Sequence, residues 1–259
     1  YYSNKIIQER IAQYCGGEYF NPDGFSSVYL VGLHDSFYPI KGQYFFATKK
    51  SEFISLLERG VDIFRSIWDE KAVLFVIDVE YVNMNYPGEA FFNPETSFAK
   101  LEPIYYRIKN LLEKFSIEFL AIMTGQGYHF VFKVPIYDTT KEQHDDQLNT
   151  VFSQLCKIGK IESSLEGKYS STYGRRTGVV QKEVGLAYDG AGRIIEYFVH
   201  LVMKGLKDYI GIPVSCFDVA CGNREMIVFD LSMYADPIYM RDIRCPFSVY
   251  QKHKLFKDK

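Results

Sequence analysis

Residues 71–80, KAVLFVIDVE, decide how this chain folds. Val73, Leu74, Phe75, Val76 and Ile77 form an unbroken row of β-branched and large apolar side chains, which suits a strand buried on both faces. Asp78 and Glu80 follow two residues apart. Strand side chains alternate, so both carboxylates project from one face at the strand's end, where two hard oxygen ligands make half of a divalent-cation site. A second apolar run, EMIVFD at 225–230, brings Asp230 to the end of another buried strand as the third carboxylate. Between the two, TGQGYHF at 124–130 reads as a glycine-containing turn feeding a strand that carries His129.

Outward from that stretch, Ile104, Ile108, Leu111, Leu112 and Phe115 recur at helical spacing and predict a helix over 97–115, after a loop with Pro87 and Pro94. Strands are expected at 117–123 and 128–134, joined as a tight hairpin. A polar helix over 141–158 follows, with Leu148, Val151, Phe152 and Leu155 as its apolar stripe. With the strand at 225–231 the order becomes β-α-β-β-α-β, a ferredoxin-like arrangement that sets several strand ends side by side. The interval 160–222 reads as an insertion. It carries a basic loop, GKYSSTYGRRTG, with Lys168, Arg175 and Arg176, and then Asp189-Gly-Ala-Gly-Arg193, read as a helix entry able to present free N–H groups to an anion.

Ahead of residue 71 the pattern predicts a small α+β lobe. It comprises a helix over 3–14, strands in SVYLVGL and GQYFFATKK, and a helix over 52–59 capped by Ser51 and ended by Gly60. Near the other end, RDIRCPFSVYQKHK at 241–254 is the densest basic segment, with Phe247 and Tyr250 interleaved. Such a segment beside an acidic strand suits neutralisation of phosphate.

Composition narrows the class. A chain of 259 residues with 47 % hydrophobic and 24 % charged residues reads as an ordinary globular protein. The net charge of −2 means that any nucleic-acid contact comes from local clusters. Five cysteines, at 15, 156, 216, 221 and 245, form no CxxC pair and read as free thiols of a reducing compartment. Cys216, Cys221, Cys245 and His253 match no familiar zinc spacing, so no zinc is expected. No run reaches the ~18 apolar residues of a membrane span, and nothing resembles a signal peptide, which predicts a cytoplasmic protein without a membrane partner. The start at Tyr-Tyr-Ser-Asn, without Met, reads as a piece of a longer polypeptide.

These motifs together resemble the archaeo-eukaryotic primase superfamily, which includes primase-polymerases. They are DVE after an apolar strand, the turn and strand TGQGYHF, Asp230 closing an apolar strand, and R-x-x-R-x-P-x-S from Arg241 to Ser248. The resemblance implies an α+β fold with two lobes in one catalytic domain: an α/β lobe over 1–70 and a lobe similar to an RNA-recognition motif over 71–259, holding the insertion at 160–222. It implies template-directed nucleotidyl transfer on two metals, Mg²⁺ or Mn²⁺, held by Asp78, Glu80 and Asp230 as catalytic residues. Thr124, Gly125, Gln126, His129, Arg244, Ser248 and Lys252 match nucleotide-binding positions. Some relatives have Ser where Thr124 stands and His where Tyr250 stands.

Arg175, Arg176, Arg241 and Tyr250 are expected on nucleic acid. The expected partners are single-stranded DNA template, primer strand and nucleoside triphosphates, with fused or associated CRISPR adaptation proteins as a further context. Three readings compete with a primase-polymerase that starts and extends primers. They are a primer-dependent repair polymerase of the same superfamily, a catalytically silent ferredoxin-like module that binds nucleic acid, and a metal-dependent nuclease.

Overall fold

The computed structural model describes residues 1–33, 45–138, 147–160, 169–171, 177–178, 182–204, 206, 211–216, 224–234, 239–240 and 242–251. Helix α1 (Lys5–Tyr14) opens at Asn4, whose side chain accepts the Ile6 N–H, and buries Ile11 and Ala12. Strands β1 (Leu30–Leu33) and β2 (Phe45–Thr48) follow, then helix α2 (Phe53–Glu58) and strand β3 (Asp62–Ser66). Ser51 does not cap α2. It lies inside a 3-10 turn, Lys50–Glu52, and α2 begins after Glu52 without a side-chain cap. Gly60 ends the segment as expected, in the left-handed region at φ +65°.

Strand β4 (Ala72–Asn83) is the acidic strand and runs to Asn83, beyond its expected end. Its side chains are buried without a break from Ala72 to Ile77, and from Asp78 onward burial alternates. The strand thus passes from a two-sided core into a half-open setting where its carboxylates begin. A short helix α3 (Glu89–Phe92) leads into α4 (Pro94–Lys114), where Pro94 supplies the pre-set φ of the first turn. The hairpin of β5 (Leu120–Met123) and β6 (Gly127–Pro135) pairs antiparallel, as expected.

Helix α5 (Thr150–Ile158) starts at Asn149, whose side chain accepts the N–H groups of Val151 and Phe152. The expected start near 141 lies outside the described residues, and 147–149 are not helical. The buried stripe is Phe152 and Leu155, whereas Leu148 and Val151 are exposed. Short strands β7 (Tyr169–Ser171) and β8 (Thr177–Gly178) pair within the basic insertion. Helix α6 (Lys182–Met203) runs straight through Asp189–Arg193, so the glycines there do not open a helix. They permit close packing: a Cβ on Gly190 would lie 2.3 Å from the Leu155 carbonyl oxygen of α5. Strands β9 (Val214–Ser215), β10 (Glu225–Phe229), β11 (Tyr239–Met240) and β12 (Asp242–Arg244) complete the described elements.

The protein is mixed α+β. The central sheet has the order β5-β6-β4-β10-β9. Its first four strands are antiparallel neighbours, and with α4 and α5 they follow the β-α-β-β-α-β connectivity, while β9 adds a parallel edge. A second sheet has the order β12-β3-β1-β2, so the lobe begun before residue 71 takes its outer strand from residues 242–244. Ile11, Phe25, Leu30, Phe53, Leu56 and Ile63 fill a core behind that sheet. The larger core joins β4, β6 and β10 to α4, α5 and α6. Among the described residues no helix is long and apolar enough to cross a membrane.

Candidate functional site

Antiparallel register assembles the site from three adjacent strands. Asp78 on β4 lies directly opposite His129 on β6, and Glu80 lies opposite Gly127. On the other side Val228 of β10 faces Glu80, and just past the strand the Asp230 N–H donates to the Asp78 carbonyl at 3.0 Å. His129, Asp78 and Asp230 therefore form one row across the sheet, and Glu80 stands on the same face two residues on. The alternate residues Tyr128 and Phe130 turn the other way and pack on Tyr105 of α4. That packing fixes which face the imidazole occupies.

Gly127 is required by this register, because a Cβ there would lie 1.9 Å from the Val79 carbonyl oxygen. Thr124 closes the preceding turn, its hydroxyl accepting the Gly127 N–H at 3.0 Å, and the Gln126 carbonyl accepts the Tyr81 N–H. Gly125 carries Tyr250 at close range: a Cβ would meet the ring at 2.4 Å. The Tyr250 ring also packs on Phe91, 5.2 Å between centroids. Burial pushes the Tyr250 phenol up, and the Glu80 carboxylate adds to the rise.

The row is partly buried and incompletely satisfied. His129 is 7 % exposed, and its Nε2 stands 3.4 Å from Asp78 Oδ1. Asp78 Oδ1, His129 Nδ1 and Gln126 Oε1 are buried without a hydrogen-bond partner among the described residues. Buried polar atoms of native proteins are nearly always paired, so such a group marks a place where a ligand, ion or water completes the set. Asp230 Oδ1 accepts the Ser232 N–H at 2.8 Å. By contrast Glu89 and Glu225, on the opposite side of β4, are held below the usual carboxylate range by hydrogen bonds from Tyr81, Asn83 and Lys100. Tyr81 itself is pushed up to about 12 by burial and by those carboxylates.

The donor set fits a hard divalent cation in type and in face, with three carboxylates and no thiolate. Among the described residues, however, no three ligating side chains already converge on one point. The register supplies the positions, and rotation of Glu80 and Asp230 would be needed to close a shell.

Arg244 and Ser248 are not in that row. They sit on the second sheet around Asp62, which is wholly buried and which sequence reading missed. Arg244 Nε donates to both Asp62 oxygens at 3.0 Å, and the guanidinium lies over the Phe64 ring at 4.6 Å and over the Tyr250 ring at 4.2 Å. Ser248 Oγ accepts the Ile63 N–H and donates to Asp62 Oδ1 at 2.9 Å. The Gln251 N–H also donates to Asp62. Burial pushes the Asp62 carboxyl up, against the pull of Arg244 and Ser248.

Tyr250 thus bridges the sheets, touching Arg244 on one side and the Gly125 turn near Glu80 on the other. Arg175, Arg176, Arg241 and Lys252 lie outside the described residues. So do Cys221 and His253, while Cys245 is buried with its sulfur 3.7 Å from that of Cys15. The chain matches no protein-family model, no curated protein and no solved structure.

Proposed function

We propose that this chain is the catalytic core of a DNA-directed primase-polymerase, which joins nucleoside triphosphates on a single-stranded DNA template and makes or extends short primers. One observation carries the reading: His129, Asp78 and Asp230 in a row over three strands, Glu80 on the same face, and Asp78 Oδ1 buried without a hydrogen-bond partner among the described residues. In this reading the sheet of β12, β3, β1 and β2 is one lobe, the central sheet is a lobe similar to an RNA-recognition motif, and the substrate lies where Tyr250 joins them.

Each side chain then has a task. Asp78, Glu80 and Asp230 hold Mg²⁺ or Mn²⁺. When bound, such ions lower the pKa of the primer's 3′ hydroxyl and neutralise departing pyrophosphate. His129 donates to a phosphate oxygen, held in place by the packing of Tyr128 and Phe130 on either side of it in sequence. The Thr124–Gly127 turn shapes the approach of the nucleotide, with Gly125 keeping Tyr250 close. Arg244 faces the triphosphate, and Ser248 keeps the segment bearing Arg244 against the sheet. Arg241, Lys252, Arg175 and Arg176 join the reading through their sequence positions alone.

The test is primer synthesis on unprimed single-stranded DNA with Mg²⁺ or Mn²⁺, wild type against Asp78→Ala. Metal-dependent products from the wild type only are expected. Products from primed DNA alone would reduce the reading to a primer-dependent repair polymerase, and shortened strands would point to a nuclease. A second reading, a catalytically silent nucleic-acid-binding module, draws on the lack of three converged ligands among the described residues. It predicts no incorporation and equal template binding by wild type and the Asp78→Ala, Glu80→Ala double variant.

A further inference from the structure

We propose that Asp62 is a positioning residue, orienting Arg244 so that the guanidinium meets the polyphosphate of a nucleoside triphosphate edge-on. The proposal rests on the polymerase reading for the identity of the ligand, and on the second sheet for everything else. Asp62 is fully buried, and among the described residues the donors to its carboxylate come from residues 244–251, some 182 to 189 positions later in the chain. Burying a carboxylate is costly unless its hydrogen bonds are satisfied, and here one acid gathers one segment. The contact with Arg244 is through Nε. That contact does not use Nη1 or Nη2. The guanidinium also lies over the rings of Phe64 and Tyr250 and hydrogen-bonds the Tyr250 side chain, which further limits its orientation.

A planar cation oriented through Nε and against aromatic rings suits bidentate recognition of phosphate, which depends on orientation as well as charge. Tyr250, over which Arg244 lies, also packs on the Gly125 turn of the carboxylate-bearing sheet. Reading the sequence alone assigns Arg244 a phosphate and gives Asp62 nothing, because the acid lies in a segment without a motif.

The experiment uses the full chain and two readouts: KM and kcat for nucleotide incorporation, and calorimetric binding of inorganic tripolyphosphate with Mg²⁺. Asp62→Asn is expected to raise KM about tenfold with kcat within about twofold, and to weaken tripolyphosphate by the same factor. Combining Asp62→Asn with Arg244→Gln should add nothing to the loss caused by Arg244→Gln alone. Asp69→Asn, which breaks a different buried pair, should lower stability and leave KM unchanged. If Asp62→Asn does not fold, Arg244→Lys serves instead: it keeps the charge without the fork and should lose affinity similarly.

An unchanged tripolyphosphate affinity in Asp62→Asn, additive losses in the double variant, or full binding by Arg244→Lys would overturn the proposal. A wild type that binds tripolyphosphate and responds to these variants, yet incorporates no nucleotide, would defeat the polymerase reading and support the role of Asp62. Incorporation with an unmoved KM in Asp62→Asn would do the reverse.

Discussion

The two larger sheets each carry an enclosed aspartate on the way to the same junction, and the two are treated in opposite ways. Asp62 on β3 is met by Arg244, Ser248 and the Gln251 N–H. Asp78 on β4 is nearly as enclosed, yet its Oδ1 has no hydrogen-bond partner among the described residues. The difference teaches where to look for chemistry. A satisfied carboxylate holds structure, and an unsatisfied one is held ready for something that arrives.

The largest effect should come from breaking the unsatisfied side. Asp78→Asn keeps the shape and removes the charge, so metal-dependent incorporation should fall about a thousandfold. The melting temperature should hold or rise, since the charge on a carboxylate with an unsatisfied oxygen is removed. A fall in melting temperature with activity intact would erase the contrast between the two acids.

Asp69 sharpens it from the satisfied side. Its carboxylate takes Arg65 at 2.6 Å, Ser26 at 2.5 Å and the N–H groups of Lys71 and Ala72, pinning the start of β4. Asp69→Asn should lose about 3–5 kcal/mol in urea unfolding. Burial pushes this carboxyl up, but Arg65 and the other donors outweigh burial and hold it below the ordinary range. A carboxyl depressed in the folded state contributes stability above its unfolded pKa of about 3.9, and that stability is lost as pH falls through the folded value. The gap between wild type and Asp69→Asn should therefore be full at neutral pH and shrink below about pH 4.

Gly127→Ala attacks the geometry of the row without touching an acid. With 1.9 Å between the new Cβ and a backbone oxygen, β6 must shift against β4. A loss of about 1–3 kcal/mol and weakened incorporation should follow, read by chemical denaturation and by primer extension. Tyr250→Phe should do least. It keeps the ring on Arg244 and Gly125 and removes one hydroxyl, so stability should change by about 1 kcal/mol or less, and KM by a few-fold at most.

Much of the face that carries the candidate site was legible. The apolar run before Asp78, the hairpin carrying His129 and the run before Asp230 each announce a strand through simple periodicity, and antiparallel pairing brings their ends together. Strand β3 was not legible. All five of its side chains are buried, among them Asp62, Arg65 and Ser66, so the run DIFRS shows neither alternation nor an apolar row. Only partners far away in the chain explain those polar residues, and no local pattern reports them. Helix α6 was misread for a related reason: glycines at 190 and 192 look like a helix entry when the packing they serve is unseen. The shared face of the carboxylates was legible, whereas no three ligating side chains converge on one point among the described residues.

Tyr234 has a consequence for how this sheet can stop. Its hydroxyl donates to the Val76 carbonyl at 3.0 Å and accepts the Val76 N–H at 2.6 Å, standing in for the strand neighbour that β10 no longer provides. Because burial pushes this phenol up, it keeps its proton across the range in which the protein is folded. A single side chain thereby satisfies the Val76 backbone inside the core, and the polypeptide can leave the sheet directly after Asp230 without orphaning those two groups.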